Sequence, residues 1–490
     1  MLEKSKKFYV TTSIAYTNSV PHIGFALEVI QADVVARYHQ FLKEDVFFLT
    51  GTDEHGAKIA KAAAAAGKNP KDFTNEVSAQ FKELTKVLNL SNNDFIRTTD
   101  QKKHWPAVKK VWRALKDNGD IYTKKYKGLY CSGCESFITK KDLVDGKCVI
   151  HQKAPEIIEE ENYFFKLSKY SKEIEKAIKQ DKMKIIPQTR KNEVLSFIKQ
   201  GLEDISFSRP RKDLKWGIPV PDDDTQTIYV WCDALTNYIS ALGYVDNSEK
   251  FKKYWPADIH CIGKDIIRFH TTIWEGILLS LGLELPKTIF VHGFITVDGQ
   301  KMSKSLGNVV DPFELVKEYG TDAVRYFLLR EIPSTKDGDF TYKKFKERYN
   351  SDLAKGIGNL VARVKTMADS QISFKEDNLS IIEPEIKKTQ ENYTKALERF
   401  EFNEALKAIW DLISFSDKYI EKERPWEKPW NNNLKSQRVL GCLLVALDKI
   451  AELLNPFLPE TSEKIIKEIE RNAESGKFVN KKGTLLFPKI

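Results

Sequence analysis

The stretch Phe8-Tyr9-Val10-Thr11-Thr12-Ser13-Ile14-Ala15, followed by Pro21-His22-Ile23-Gly24, decides how this chain is read. Residues 8–15 read as a buried strand, because they are largely apolar and β-branched. From residue 24 to 41 the period changes: Phe25, Ala26, Val29, Ile30, Val34 and Tyr38 fall near helical spacing. Val46-Phe47-Phe48-Leu49-Thr50 is a second short strand, and Gly51-Thr52-Asp53-Glu54-His55-Gly56 follows it. The alanine-rich run Lys58 to Ala66 is helical, and Gly67-Lys68-Asn69-Pro70 stops it. A β–α–β–α opening predicts a parallel sheet with crossover helices.

Outward from this opening the pattern breaks. Residues 122–160 are polar, with little helical periodicity, and 163–225 mix short helices with loops. Strand-and-helix alternation resumes at Ile228-Tyr229-Val230-Trp231, at Asp258-Ile259-His260-Cys261-Ile262-Gly263 and at Thr288-Ile289-Phe290-Val291-His292-Gly293. The expected architecture is α/β: a split Rossmann-like parallel sheet of residues 1–114 and 228–349, with a connective insertion at 115–227. Residues 350–490 are expected to form an all-α helical bundle, with helices at Leu353 to Met367, Lys387 to Phe400, Asn403 to Ile420 and Lys435 to Asn455. No strand is expected there before the last residues.

A chain of 490 residues is too long for one ordinary core. No run of eighteen apolar residues exists, so no membrane span is expected. The start lacks the apolar core of a secretory signal, which predicts a cytoplasmic protein. A net charge of +9 is compatible with an anionic partner such as RNA or a nucleotide, and equally with lysines that simply cover solvent faces. The six cysteines of so large a chain are not expected to form a disulfide framework. Cys131-Ser132-Gly133-Cys134 and Cys148-Val149-Ile150-His151 instead form a C-x2-C … C-x2-H pattern, suited to a closed tetrahedral zinc site. Reduced cysteines without metal are the alternative.

Two elements suggest phosphate chemistry. His22 and Gly24 lie between a strand and a helix, where open α/β sheets bind ligands. Gly24 lets a flat group approach the backbone, and the helix start offers N–H groups to an anion. A buried histidine satisfied by backbone is the plainer reading of His22. The second element is Lys301-Met302-Ser303-Lys304-Ser305, flanked by Gly299 and Gly307. Read as a mobile cationic loop, it can close over a triphosphate and stabilise transition-state charge. A solvated charge run is its plainer reading.

The pairing of these elements resembles the class I aminoacyl-tRNA synthetases, and the flanking residues resemble the methionyl-tRNA synthetase family. Those residues include Ala15-Tyr16-Thr17-Asn18, residues 51–56, Tyr229-Val230-Trp231-Cys232-Asp233-Ala234, Ile262-Gly263-Lys264-Asp265-Ile266 and Val291-His292-Gly293-Phe294. The resemblance covers essentially the whole chain. It implies activation of L-methionine by ATP with Mg²⁺, then transfer to the 3′ end of tRNA(Met), for initiator and elongator alike. It implies catalytic roles for His22, Lys301 and Lys304, with Tyr16, Asn18, Gly24 and Ser303 also at the ATP. It places Asp53 at the substrate ammonium, and Ile14, Trp231, Ala234, Tyr238, Ile266 and His270 around the thioether. It supports one structural Zn²⁺ on Cys131, Cys134, Cys148 and His151. Asn359, Arg363 and Trp426 match residues that read the anticodon, although Trp426 beside Pro425 also suits helix-end packing. The sequence departs from the family pattern at Phe25, where a second histidine is usual, so that His55 becomes a candidate substitute. A monomer is expected, since no appended oligomerising domain is visible.

Other classes fit less well. Small nucleotidyltransferases with a histidine turn are much shorter. An RNA-binding zinc-knuckle protein would not need Lys301, Lys304, His22 and Asp53 together. Synthetases for leucine, isoleucine and valine carry far larger insertions.

Overall fold

The computed structural model describes residues 6–134, 136–138, 142–150, 152–302, 306–367, 371–372, 376–427, 434–471, 478–480 and 485–490. The chain divides into two compact units. One comprises Met1–Pro21, His39–Lys86 and Ser91–His292; the other comprises His22–Tyr38, Val87–Leu90 and Gly293–Ile490.

The first unit is built on a seven-stranded sheet of β1 (Lys7–Thr12), β2 (Ala15–Tyr16), β3 (Asp45–Asp53), β4 (Asp94–Arg97), β5 (Lys184–Ile186), β6 (Ile259–Gly263) and β7 (Thr288–His292). Its order is β5-β7-β6-β1-β3-β2, with β4 also paired to β3, and every pairing is parallel. β1 is central: Lys7 to Thr11 face Asp45 to Leu49 on one side, and Val10 to Thr12 face Ile259 to Cys261 on the other. Tyr9, Val10, Phe48, Leu49, Ile262 and Val291 are buried, as strands covered on both faces require.

Three features of this unit differ from the sequence expectation. Ile228-Tyr229-Val230-Trp231, read as the point where the alternation resumes, ends a strand of a separate small antiparallel sheet (Asp223–Ile228) and opens the helix Val230–Leu235, because apolar runs this short do not distinguish strand from helix. β5 comes from the segment read as insertion; three residues are too few to give a periodic signal. The polar stretch after residue 120 is a long antiparallel ribbon, Ile121–Cys131 against Glu156–Phe165. Its alternation is hidden because charge faces charge along it, with Lys125 opposite Glu161 and Lys127 opposite Glu159. The base carries the buried Ile121, Phe164 and Phe165, which anchor it to the core.

The second unit is mainly helical: Pro312–Tyr319, Thr321–Arg330, Tyr342–Arg348, a π-helical turn at Tyr349–Gly358, Asn359–Met367, Glu383–Glu398, Phe402–Glu423, Leu434–Leu454 and Pro459–Glu468. The expected helices are all present with shifted ends. A small antiparallel sheet of Gln371–Ile372, Ile469–Arg471 and Phe478–Asn480 was not expected among them; its strands are too short to show a period.

Arg325 organises this unit from inside. Its side chain is fully buried and pairs with Asp33 Oδ2 at 2.7 Å. Three further N–H groups donate to the carbonyls of Phe457 (2.7 Å), Pro456 (2.9 Å) and Leu88 (3.1 Å). Four of the five N–H donors of the guanidinium fork are thereby matched, which is the kind of pairing a buried cation needs. Removing the partner of a buried charge is costly, so Arg325→Ala is expected to destabilise the fold by about 3–5 kcal/mol. Urea denaturation measures this, and a loss below about 1 kcal/mol would contradict the anchoring role.

Candidate functional sites

The Pro21-His22-Ile23-Gly24 turn opens the helix Ile23–Phe41. The Gly24 N–H donates to His22 Nδ1 at 3.0 Å, and the His22 carbonyl accepts from the N–H groups of Phe25 and Ala26. The ring is thus satisfied by backbone on one side. Because Nδ1 accepts, the neutral imidazole carries its proton on Nε2, which can act as a donor. Burial pushes the His22 pKa down, so this neutral form prevails at pH 7. A Cβ on Gly24 would lie 2.8 Å from His22 Cε1, so a side chain there would displace the ring. The two readings of His22 are therefore compatible: the backbone bond fixes the tautomer that can bind an anion.

The same glycine lies against the other motif: its Cβ position is 3.6 Å from Met302 Cε, and the Ile23 N–H donates to the Val310 carbonyl at 3.2 Å. Lys301 is exposed and belongs to a strand, Gln300–Lys301, rather than to a loop. That strand pairs with Ile295–Val297 across an Asp298-Gly299 turn, and both turn residues have positive φ (50° and 73°). A two-residue turn of this kind matches strand twist and fixes where the motif begins. Asp339 Oδ1 holds the turn, accepting from the Gly299 N–H and the Thr296 hydroxyl. Ser303 and Lys304 lie outside the described residues.

In the first unit, the Trp231 ring stacks on Phe269 at 3.9 Å and meets His270 edge-on. The Tyr238 hydroxyl bonds His270 Nε2 at 2.7 Å, while His270 Nδ1 donates to the Ile266 carbonyl at 3.1 Å. That carbonyl requires a donor, so Nε2 is the acceptor and Tyr238 donates. Ile14, Trp231 and Ile266 are half-buried against one apolar cluster that includes Tyr238, and Ala234 is buried on the Trp231 helix. Asp53 ends β3 and is buried; its carbonyl accepts from the Thr17 N–H and hydroxyl. Tyr16 sits opposite Asp53 in the sheet, under Lys58, and Asn18 is exposed.

The sequence reading gave no role to the group beside them. Asp233, between Trp231 and Ala234, accepts from His55 Nδ1 (2.7 Å) and His104 Nε2 (2.8 Å), and all three are buried. His55, the candidate substitute for a second phosphate histidine, is thus committed to Asp233 through Nδ1. Lone histidines fifty residues apart carry no sequence signal of a shared partner. Phe269 was missed for the same reason: only the fold lays it on Trp231.

Two further groups complete the picture. The Sγ atoms of Cys131, Cys134 and Cys148 all lie within 4.8 Å of one another, and Cys134 and Cys148 are 3.6 Å apart. Three thiolates bonded at 2.3 Å to one tetrahedral ion would be about 3.8 Å apart, so this set could hold a metal ion. His151 lies outside the described residues. In the second unit, Arg363 lies 5.8 Å from the Trp426 ring centre and pairs with Glu421 (2.6 Å) and Asp417 (3.5 Å). Trp426 is 50% exposed, so half of its surface remains open beside Arg363. Asn359 is exposed one turn before Arg363 on the same helix.

Known proteins match this layout throughout. The family model "tRNA synthetases class I (M)" matches residues 8–142 and 138–365, and "Anticodon-binding domain of tRNA ligase" matches 380–487. The chain belongs to the class I tRNA synthetases, in the methionine–tRNA ligase family. It is 44% identical to the methionine–tRNA ligase of Thermotoga maritima, over 94% of this chain and 75% of that protein. It is 43% identical to that of Clostridium acetobutylicum, over 100% and 79%. A solved structure of Mycobacterium tuberculosis methionyl-tRNA synthetase in complex with methionyl-adenylate superposes with a TM-score of 0.93 at 38% identity, covering 99% of this chain and 100% of that one. No helix among the described residues is long and apolar enough to cross a membrane.

Burial holds His270 neutral, lowering its pKa to about 4. An unfolded chain takes up that proton near pH 6.5, so the native state binds fewer protons between these values. Stability is full above pH 6.5 and falls as pH drops towards 4, by on the order of 3 kcal/mol from this residue. Denaturant midpoints measured from pH 7 to 4.5 should fall less steeply in His270→Gln than in the parent. Equal slopes would contradict the buried neutral assignment.

Proposed function

We propose that this protein activates L-methionine with ATP and transfers it to the 3′ end of tRNA(Met), initiator and elongator alike, acting as a monomer in the cytoplasm. The observation that carries the reading is the approach of Gly24 to Met302, which brings the histidine turn and the lysine motif together in one unit. In the first step a methionine carboxylate oxygen attacks the α-phosphorus, and the bond to pyrophosphate breaks. In the second, a terminal ribose hydroxyl of tRNA attacks the methionyl carbonyl, and AMP leaves.

Little covalent work falls to the protein; positioning and charge stabilisation dominate. His22 donates through Nε2–H to phosphate oxygens. Lys301 and Lys304 stabilise charge developing on pyrophosphate, while Tyr16, Asn18, Gly24 and Ser303 shape the nucleotide site. Mg²⁺, carried mainly by ATP oxygens, would neutralise phosphate charge. Asp53 takes the substrate ammonium. Ile14, Trp231, Ala234, Tyr238, Ile266 and His270 take the thioether, whose polarizable sulfur suits aromatic faces. The Tyr238–His270 bond keeps both polar tips occupied, so that the wall presented to the thioether is apolar in character. Cys131, Cys134 and Cys148, with His151 as fourth ligand, would hold one Zn²⁺ and order the end of the ribbon. Asn359, Arg363 and Trp426 read the anticodon by edge bonding and stacking.

With Phe25 in place of a second histidine donor, more phosphate stabilisation falls on the lysines. Lys304→Ala is expected to lower methionine-dependent ATP–pyrophosphate exchange by about 10²–10³ in kcat with little change in the KM for methionine. A normal exchange rate in this variant would remove the motif from the mechanism.

A further inference from the structure

The helix Trp105–Asp117 carries a groove of 790 Å³ to which none of the roles above has been assigned. Trp105, Lys109 and Arg113 recur at four-residue spacing, so they form one stripe along its outer face. The stripe runs about 12 Å, from eight residues at 1.5 Å each. Lys110 lines the next row and is fixed by the carbonyls of Tyr244 (3.2 Å) and Val245 (2.7 Å), so that Val245 becomes the opposite wall. Three cations thus face one carboxylate, Asp117, along the lining. Lys109 lies 5.7 Å from the Trp105 ring, and Arg113 pairs with Asp222 at 3.6 Å, both ends well exposed. Exposed pairs of that kind contribute little and exchange readily for a better anion.

An aromatic face in line with cations is the arrangement that binds single-stranded nucleic acid: bases stack, and phosphates meet the charges. The groove also stands beside the amino acid pocket. Trp105 packs on His55 at 5.9 Å and directly follows His104, and both histidines bond Asp233 on the helix that carries Trp231 and Ala234.

We propose that this groove holds the single-stranded 3′ end of the RNA substrate, with a base on Trp105 and phosphates at Lys109 and Arg113. This rests on the tRNA-charging reading above and adds a surface for its RNA substrate. The test compares the parent, K109Q/R113Q and a control with the same charge loss on another exposed helix face, K71Q/K82Q. Binding of a tRNA(Met) transcript is followed by fluorescence anisotropy across a salt series. The expected result is a slope of log K against log salt smaller by about 1.4 in K109Q/R113Q, two charges at about 0.7 each, and nearly unchanged in the control. With a transcript lacking its last four 3′ nucleotides, parent and K109Q/R113Q should give equal slopes. An unchanged slope, an equal fall in the control, or a difference that persists on the shortened transcript would overturn the proposal. Methionine-dependent ATP–pyrophosphate exchange, which needs no RNA, should match the parent in both variants. Its absence from the parent would count against the activation chemistry and leave the RNA measurement standing.

Discussion

One buried carboxylate sets the frame of the proposed amino acid pocket. Burial opposes the charge on Asp233, but the facing imidazoles of His55 and His104 more than offset it and hold its pKa below the usual carboxylate range. The three residues come from the turn after a central strand, the approach to a long helix and a short helix far along the chain. Their flanking residues are the functional candidates: Asp53 precedes His55, Trp231 and Ala234 bracket Asp233, and Trp105 follows His104. A buried ion survives only when its lone pairs are matched, so the network restricts how these segments can be arranged. The aromatic contacts among Trp231, Phe269, Tyr238 and His270 then form on a backbone already in place.

The proposed nucleotide elements rely on a smaller constraint. The Gly24 N–H bond to His22 Nδ1 assigns the ring proton to Nε2 without any second side chain. This accommodates Phe25 economically: one neutral histidine in a fixed tautomer retains its donor even where the second imidazole is missing. The positive-φ turn at Asp298 and Gly299 serves the lysine motif comparably, since it fixes the strand on which Lys301 stands.

Much of this was legible in the sequence, for identifiable reasons. The opening strands and helix announce themselves because burial on both faces of β1 and β3 favours runs dominated by apolar and β-branched residues. The cysteine spacing anticipates the cluster because ligand loops must be short. The Asn359–Arg363 spacing anticipates a shared helix face. Hidden features depend on long-range partners. The ribbon after residue 120 satisfies its backbone in sheet while its charges face solvent, so its composition looks like loop. β5 is only three residues long. The Asp233 network joins positions 55, 104 and 233, which no local period connects. Arg325 and Asp33 are likewise read as surface charges until the fold buries them together.

Methionine as the amino acid that enters the chemistry is the central claim. An apolar pocket with aromatic walls separates side chains of different shape by contact and desolvation, and a difference of one methylene by only about 1–3 kcal/mol. The most direct measurement is ATP–pyrophosphate exchange across a panel of amino acids under identical conditions. Methionine should support the highest kcat/KM, with close thioether analogues following and cysteine and leucine far behind. Exchange supported by leucine or cysteine but not by methionine would contradict the assignment.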